Sequence, residues 1–209
     1  AGGVRTDIAS GDFREGNATL ELLPFSNYLS ILTVKGEVIQ NLIDTTIEPT
    51  LAEGAHAGKF PYVSGMRYTF TEDVKGVSGT VTSLEVNTGT EENPVWTAMN
   101  DSDNYTVIVN NYNASGSDGW NVLGDAQSTS TDRQDIVISG NGFKTYKVNN
   151  LTYDGSTDKY SVNYDGGIKP CAEGSGDVCN TDAESFISWA EHKKVLEPLG
   201  FETTTIEYK

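Results

Sequence analysis

Tyr112 and Asp118 fall within one short stretch, Asn111-Tyr-Asn-Ala-Ser-Gly-Ser-Asp-Gly-Trp120, and offer two kinds of recognition chemistry. An aromatic face stacks on a planar heterocycle, and a carboxylate accepts hydrogen bonds from a sugar diol. The pair therefore reads as a clamp for a flat, hydroxyl-bearing ligand. A strand on one side and a turn on the other must position it. From Tyr105 to Val109 β-branched and aromatic residues alternate with others, which predicts a strand. Gly116, Ser117, Asp118 and Gly119 then supply the backbone freedom and self-bonding side chains of a tight turn, after which Trp120, Val122 and Leu123 return to the core.

Other side chains with chemistry are fewer. Arg5 follows two glycines, so backbone amides and a guanidinium could converge on an anion there; a surface pair with Asp7 or Asp12 is the alternative. Phe25 follows Pro24 at a strand entrance, where a Phe is ordinarily core, and Asn27 comes just after it. His56 and His192 have no partner cluster and read as solvent-facing. Asp154, Ser156 and Asp158 have the spacing of a calcium loop without its central Gly and terminal Glu, so they read as a solvated turn. Cys171 and Cys179 flank the flexible acidic stretch Ala-Glu-Gly-Ser-Gly-Asp-Val. A small disulfide ring suits them better than a metal site, which needs further ligands, and it predicts a periplasmic, extracellular or cell-surface location. Two reduced thiols in a cytosolic loop is the alternative.

The clamp stretch resembles the Asn-Phe-Leu-Ala-x-Gly-Gly-Asp-Gly-Phe segment of the C-terminal domain of 5′-nucleotidases. Further pieces fall in that family's order. Ala1-Gly-Gly-Val-Arg5 resembles its Asn-Gly-Gly-Gly-Ile-Arg motif, Leu23-Pro-Phe-Ser-Asn27 its Pro-Phe-Gly-Asn motif, and Phe60-Pro-Tyr-Val-Ser-Gly65 its Phe-x-x-Val-x-Gly segment. Asn180-Thr-Asp-Ala-Glu-Ser-Phe-Ile187 and Thr203 to Tyr208 are similar to its closing pieces. The resemblance implies that Phe25 and Tyr112 sandwich a nucleobase, Asn27 bonds its edge, Asp118 holds the ribose hydroxyls and Arg5 meets the phosphate. Ser117 replaces the family's second loop Gly and Asn113 the Leu after its stacking aromatic; neither removes a contact group. Residues 1–209 then form a single C-terminal domain, in which residues 124–179 read as an insertion carrying its own hairpins and the Cys ring.

The resemblance also implies a catalytic N-terminal metallophosphoesterase domain, absent from this chain, that carries two divalent metal ions. A metal-dependent phosphoesterase needs several His and carboxylates converging on its cations, and two isolated histidines do not supply that set. No nucleophilic triad and no GxxxxGK phosphate loop is evident either. The expectation is therefore a domain without bound metal or catalytic residues of its own, binding a nucleoside or nucleotide and closing with its catalytic partner around it.

Charge narrows the partners. With 14 Lys and Arg against 30 Asp and Glu, the net charge of -16 repels a nucleic-acid backbone and an anionic membrane. Solubility or a salty habitat explains the same excess. No apolar run reaches the length of a membrane span and no signal peptide is present. The 209 residues suffice to bury one sizeable core.

The remaining elements follow from periodicity. Asp7 to Gly16 reads as a polar connection, Thr19 to Leu23 as extended, and Tyr28 to Val34 as a strand closed by Gly36. Val38, Leu42, Ile43 and Ile47 recur at helical spacing up to Pro49. Phe60 to Phe70 and Gly79 to Val86 predict strands, with a bend at Gly65 and a turn at Glu91 to Pro94. Gly124 to Arg133 reads as loop; Asp135 to Ser139, Lys144 to Val148 and Lys159 to Tyr164 read as short strands in hairpins. Thr181 to Glu184 fits a capping box opening a helix before Pro198, and Thr203 to Tyr208 a last strand. The predicted class is α+β, with mixed or antiparallel sheets and a few helices. A secreted carbohydrate-binding or adhesion module, its rings stacked on sugar faces, is the alternative reading of the same aromatics.

Overall fold

The computed structural model describes residues 3–55, 57–196 and 204–208. Ala1, Gly2, His56, Pro198 and Thr203, on which expectations from the sequence fall, lie outside them. The strands are β1 (Leu29–Lys35), β2 (Met66–Val74), β3 (Ser78–Asn87), β4 (Trp96–Ala98), β5 (Asn104–Asn110), β6 (Gln134–Ser139), β7 (Gly142–Asp154), β8 (Lys159–Tyr164), β9 (Asp177–Val178) and β10 (Thr204–Tyr208). The α-helices are α1 (Gly36–Ile47), α2 (Asn111–Ala114), α3 (Asn121–Asp125) and α4 (Thr181–Lys193).

Two sheets form. One has the order β5-β1-β6-β7-β8, with β9 also on β6, and its pairings are antiparallel. The other has the order β10-β2-β3-β4, in which β10 lies parallel to β2 and the rest are antiparallel. This is the α+β class with a mixed sheet.

The core lies where α1 packs on β1 of one sheet and β3 of the other. In β1 every second residue, Ser30, Leu32 and Val34, is buried. The helical stripe Ile39, Leu42, Ile43 and Ile47 joins Tyr68, Phe70, Val81, Trp120 and Leu123 in one cluster. Each fully buried aliphatic side chain of this kind contributes about 1.5–3 kcal/mol. Asp44 on α1 accepts from the Val81 amide of β3 at 2.6 Å, which fixes helix and sheet in register. The chain turns into α1 at Gly36, where a Cβ would collide with the Asn100 carbonyl.

Four local expectations are corrected. Thr19 to Leu23 is not extended; Asn17–Leu22 forms a π-helical turn. Asn17 there bonds Glu21 one turn on at 3.0 Å, and Ala18 and Leu22, four apart, are the buried pair. Second, β2 begins only at Met66, because Pro61 offers no amide to a ladder and Gly65 turns the chain at φ +75°. Third, Gly124 and Asp125 finish α3 before the loop begins. Fourth, the capping box does not form: the Thr181 hydroxyl donates to the Val178 carbonyl, and Glu184 receives the Asn180 side-chain amide instead. The hairpins of residues 134–164 do form, and they extend the first sheet, since β6 pairs directly with β1. Cys171 and Cys179 are disulfide-bonded, with Cα atoms 5.9 Å apart.

Candidate functional site

The register of β1 and β5 brings the candidate residues to one end of the sheet. Leu29, first in β1, pairs with Asn110, last in β5. Phe25 and Asn27 just precede the first strand, and Tyr112 and Asp118 just follow the second. The junction is tied by the Tyr28 amide to the Asn111 side chain (3.0 Å) and the Asn111 amide to the Tyr28 carbonyl (2.9 Å). Gly3 packs toward Asn110, and the Arg5 amide donates to the Leu22 carbonyl at 3.0 Å, so the amino-terminal strap reaches the same place.

Each side chain has a defined setting. Phe25 and Tyr112 are 54% and 48% exposed, against the ordinary burial of large aromatics, and each presents ring surface to solvent. The Arg5 guanidinium lies over the Phe25 ring, 5.6 Å from its centroid. Tyr112 sits on α2, which Asn110 caps by accepting the Asn113 amide at 2.8 Å. Its hydroxyl donates to Asp118 Oδ1 at 3.2 Å. Burial, and next the Asp118 charge, disfavour the phenolate and raise the Tyr112 pKa. Asp118 itself is left-handed (φ 54°), between Gly116 (φ 77°) and Gly119 (φ 79°). Asn27 faces the start of α4: its carbonyl accepts the Asp182 amide at 3.1 Å and its side-chain amide lies close enough to the Asp182 carboxyl to favour the carboxylate. Burial raises that carboxyl's pKa, although bonds from the Ala183 amide and Asn27 work the other way.

Several contributors escaped the sequence reading. Lys59 lies against Gly119, where a Cβ would meet its Nζ at 2.9 Å, and its carbonyl accepts the Trp120 indole N–H at 3.3 Å. Arg133, placed in a loop by its neighbours, is wholly buried and forked onto Asp135 (Nε to Oδ1 2.7 Å, Nη2 to Oδ2 3.0 Å). Asp135 also receives the Ser30 hydroxyl at 2.5 Å and the Tyr164 hydroxyl at 2.6 Å, and the Tyr28 and Tyr164 hydroxyls meet at 3.0 Å. The Tyr164 hydroxyl is held far above its usual pKa by burial first and the Asp135 charge next. The only signal in the sequence was the Arg-x-Asp spacing, which puts both side chains on one face of an extended segment. Among the described residues no group of three or more His, Cys, Asp or Glu could hold a metal ion, so these residues do not fit a metal pair.

The arrangement supplies two exposed rings, one under a guanidinium and one bonded to a carboxylate, on segments that adjoin at the paired ends of β1 and β5. Known proteins share its sequence and fold. The family model for the 5′-nucleotidase C-terminal domain matches residues 1–125. A probable 5′-nucleotidase of Treponema pallidum is 33% identical over 129 residues, 62% of this chain and 21% of that protein. The NAD 5′-nucleotidase of Haemophilus influenzae is 33% identical over 125 residues, 59% of this chain and 20% of its own length. The chain thus spans about a fifth of these relatives. Among solved structures, the 5′-nucleotidase precursor of Thermus thermophilus superposes with a TM-score of 0.62 at 26% identity, covering 99% of this chain and 30% of that one. The H. influenzae NAD nucleotidase gives 0.64 at 22% identity, covering 100% and 29%. With 125 of 209 residues matched to its model, this chain belongs to the 5′-nucleotidase family, as a C-terminal domain.

Proposed function

We propose that this domain recognises the nucleoside part of a 5′-nucleotide and presents its phosphate to metal ions on an N-terminal metallophosphoesterase domain. The observation that carries the reading is the emergence of two exposed rings, Phe25 and Tyr112, from the paired ends of β1 and β5, with Asp118 bonded beside one and Arg5 beside the other. In this reading the rings take the two faces of the base. Asn27 keeps capacity for the base edge, since an amide has two N–H donors and an acceptor oxygen and Asp182 engages only part of that set. Asp118 accepts from the ribose diol. Arg5, already at the edge of the stacking site, meets the phosphate.

The reaction is hydrolysis of a nucleotide to a nucleoside and phosphate, and the metals that activate water belong to the other domain. This chain binds and orients without supplying a catalytic residue. The name of the H. influenzae relative supports NAD as one substrate of the same class. The disulfide supports a periplasmic or extracellular setting. Charge argues against a nucleic-acid partner.

Titration of the chain with adenosine and AMP tests the assignments. Base stacking contributes about 1–3 kcal/mol per ring, so Phe25→Ala and Tyr112→Ala should each weaken adenosine by that much. Arg5→Ala should weaken AMP more than it weakens adenosine, which it affects only through the Phe25 ring beneath the guanidinium. Wild-type affinity in Tyr112→Ala together with Asp118→Ala rules the site out.

A further inference from the structure

The loop runs from Asn113 to Asp125, inside the family-matched stretch; Lys59 and the core hold it from within that stretch, and three further side chains grip it from beyond. Gln127, 1% exposed, donates through Nε2 to the Ala114 and Leu123 carbonyls, both at 2.7 Å, and so staples the two limbs of the loop together. Arg133 donates through Nη1 to the Ser115 hydroxyl at 3.2 Å, while that hydroxyl itself donates to the Asn111 carbonyl at 2.8 Å. Tyr160 of β8 lays its ring across both limbs. A Cβ at Gly116 or at Gly124 would stand 2.8 Å from its ring carbons, so the ring touches both glycine backbones. Its hydroxyl donates to Asp125 at 2.6 Å.

Such holding has a physical purpose in this loop. Asp118 occupies a left-handed conformation, which glycine adopts freely and aspartate tolerates at a modest cost, so contacts that hold the loop favour it there. The loop's own bonds around Asp118 are few: its contact with Tyr112 and the Trp120 amide to the Ser117 carbonyl at 3.2 Å. We propose that residues 126–164 form a brace that keeps this loop in its binding shape, with Gln127, Arg133 and Tyr160 as positioning residues for Asp118. The consequence for ligand affinity rests on the nucleoside-binding reading; the mechanical role does not. Because the brace acts on residues 114–124 and Tyr112 is fixed separately by β5 and the Asn110 cap, ribose recognition should depend on the brace more than base stacking does.

Tyr160→Ala and Tyr160→Phe, compared with the unsubstituted 209-residue chain, decide the matter. Tyr160 is partly exposed and lies outside the main core cluster, so its truncation leaves the fold in place. In Tyr160→Ala the amides of residues 115–121 should exchange hydrogen about tenfold faster while those of β1 and β5 are unchanged. Adenosine should bind about tenfold more weakly and 2′-deoxyadenosine, which lacks one hydroxyl of the diol, should change less. Tyr160→Phe keeps the ring and should restore both readouts. Unchanged loop exchange in Tyr160→Ala, or faster exchange spread evenly over all strands, overturns the brace. If the unsubstituted chain binds neither nucleoside, the reading of the ligand fails while the exchange data still decide the brace.

Discussion

The two aromatic rings of the site are anchored in opposite ways. Tyr112 stands on a capped helical turn continuous with β5, and the loop that follows it is gripped by buried Gln127 and Arg133 and by the partly exposed Tyr160. Phe25 stands on an irregular turn next to Ser26, a non-glycine residue at φ 53°, between the π-helical turn and β1. Its neighbourhood is held by the Arg5 amide on the Leu22 carbonyl, the Arg5 guanidinium on the ring, and Asn27 on the first turn of α4. One wall of the site is therefore built into the sheet, and the other leans on separate segments, a strap near the amino terminus and the start of a distant helix. On the nucleoside-binding proposal, the wall built into the sheet is the fixed one and the other is adjustable, which would let the site accept bases of different size while keeping its grip on the ribose.

The largest expected effect falls on the fixed wall. Arg133→Met leaves Asp135 buried without its fork and removes the bond that the Ser115 hydroxyl accepts, its own bond to the Asn111 carbonyl remaining. Breaking a buried pair from one side costs about 3–5 kcal/mol, and urea unfolding should show a loss of that order. Asp182→Ala, the comparable change behind Phe25, removes bonds to Asn27 and the Ala183 amide and should cost only about 1 kcal/mol. Equal losses would abolish the distinction between the walls.

The contrast also explains what could be read in advance. β1, α1, β5 and the hairpins of residues 134–164 carry their periodicity on their own residues, and they form as expected. So does the turn at Gly116 to Gly119, because left-handed backbone leaves a mark in residue type. The π-helical turn Asn17–Leu22 was missed because it is set by packing on α4, remote in sequence. Arg133 was missed for a stronger reason. A charged residue among Ser, Thr and Asp looks solvated, and only the fold brings Asp135 and Ser115 around it. The five residues proposed for binding were named one by one through the family motifs. Their mutual contacts, Arg5 on Phe25, Tyr112 on Asp118 and Asn27 on Asp182, were not, since each depends on the tertiary path of the chain.

A smaller effect belongs to the adjustable wall and is set by pH. Burial raises the Asp182 pKa above its ordinary value of 3.8, so the folded state favours the neutral carboxyl. Its contribution is fully present below the unfolded value and is lost as pH rises through the raised folded value. The difference in unfolding free energy between the chain and Asp182→Asn isolates this group. Asp44, also raised by burial, is common to both proteins and cancels. So does Asp177, whose burial is outweighed by bonds from Tyr146, Cys171 and Ser175 that lower its pKa. Relative to Asp182→Asn, the chain should lose stability as pH rises from below 3.8 through the raised folded value. A difference independent of pH would mean that α4 bears no burial cost behind Phe25, and the adjustable wall would then be as settled as the fixed one.

The smallest effect tests the fixed wall at its surface. Tyr112→Phe keeps the stacking ring and removes the hydroxyl that donates to Asp118 at 3.2 Å. Two consequences oppose each other. Asp118 loses a partner that helps orient it, and one carboxylate oxygen is released for the ribose. The phenol and ribose bonds are both hydroxyl bonds to one carboxylate, a class that reaches about 1.5–3 kcal/mol at good geometry, and the 3.2 Å phenol bond, long and exposed, falls short of it. The diol should therefore win the oxygen, and if residues 127–160 already fix the loop, little orientation is lost. Adenosine affinity measured by calorimetry should rise by up to about threefold, which is under 0.7 kcal/mol. A tenfold weakening would instead make the phenol hydroxyl the element that orients Asp118, and the rigidity of this wall would then reside in a single surface bond within the matched domain.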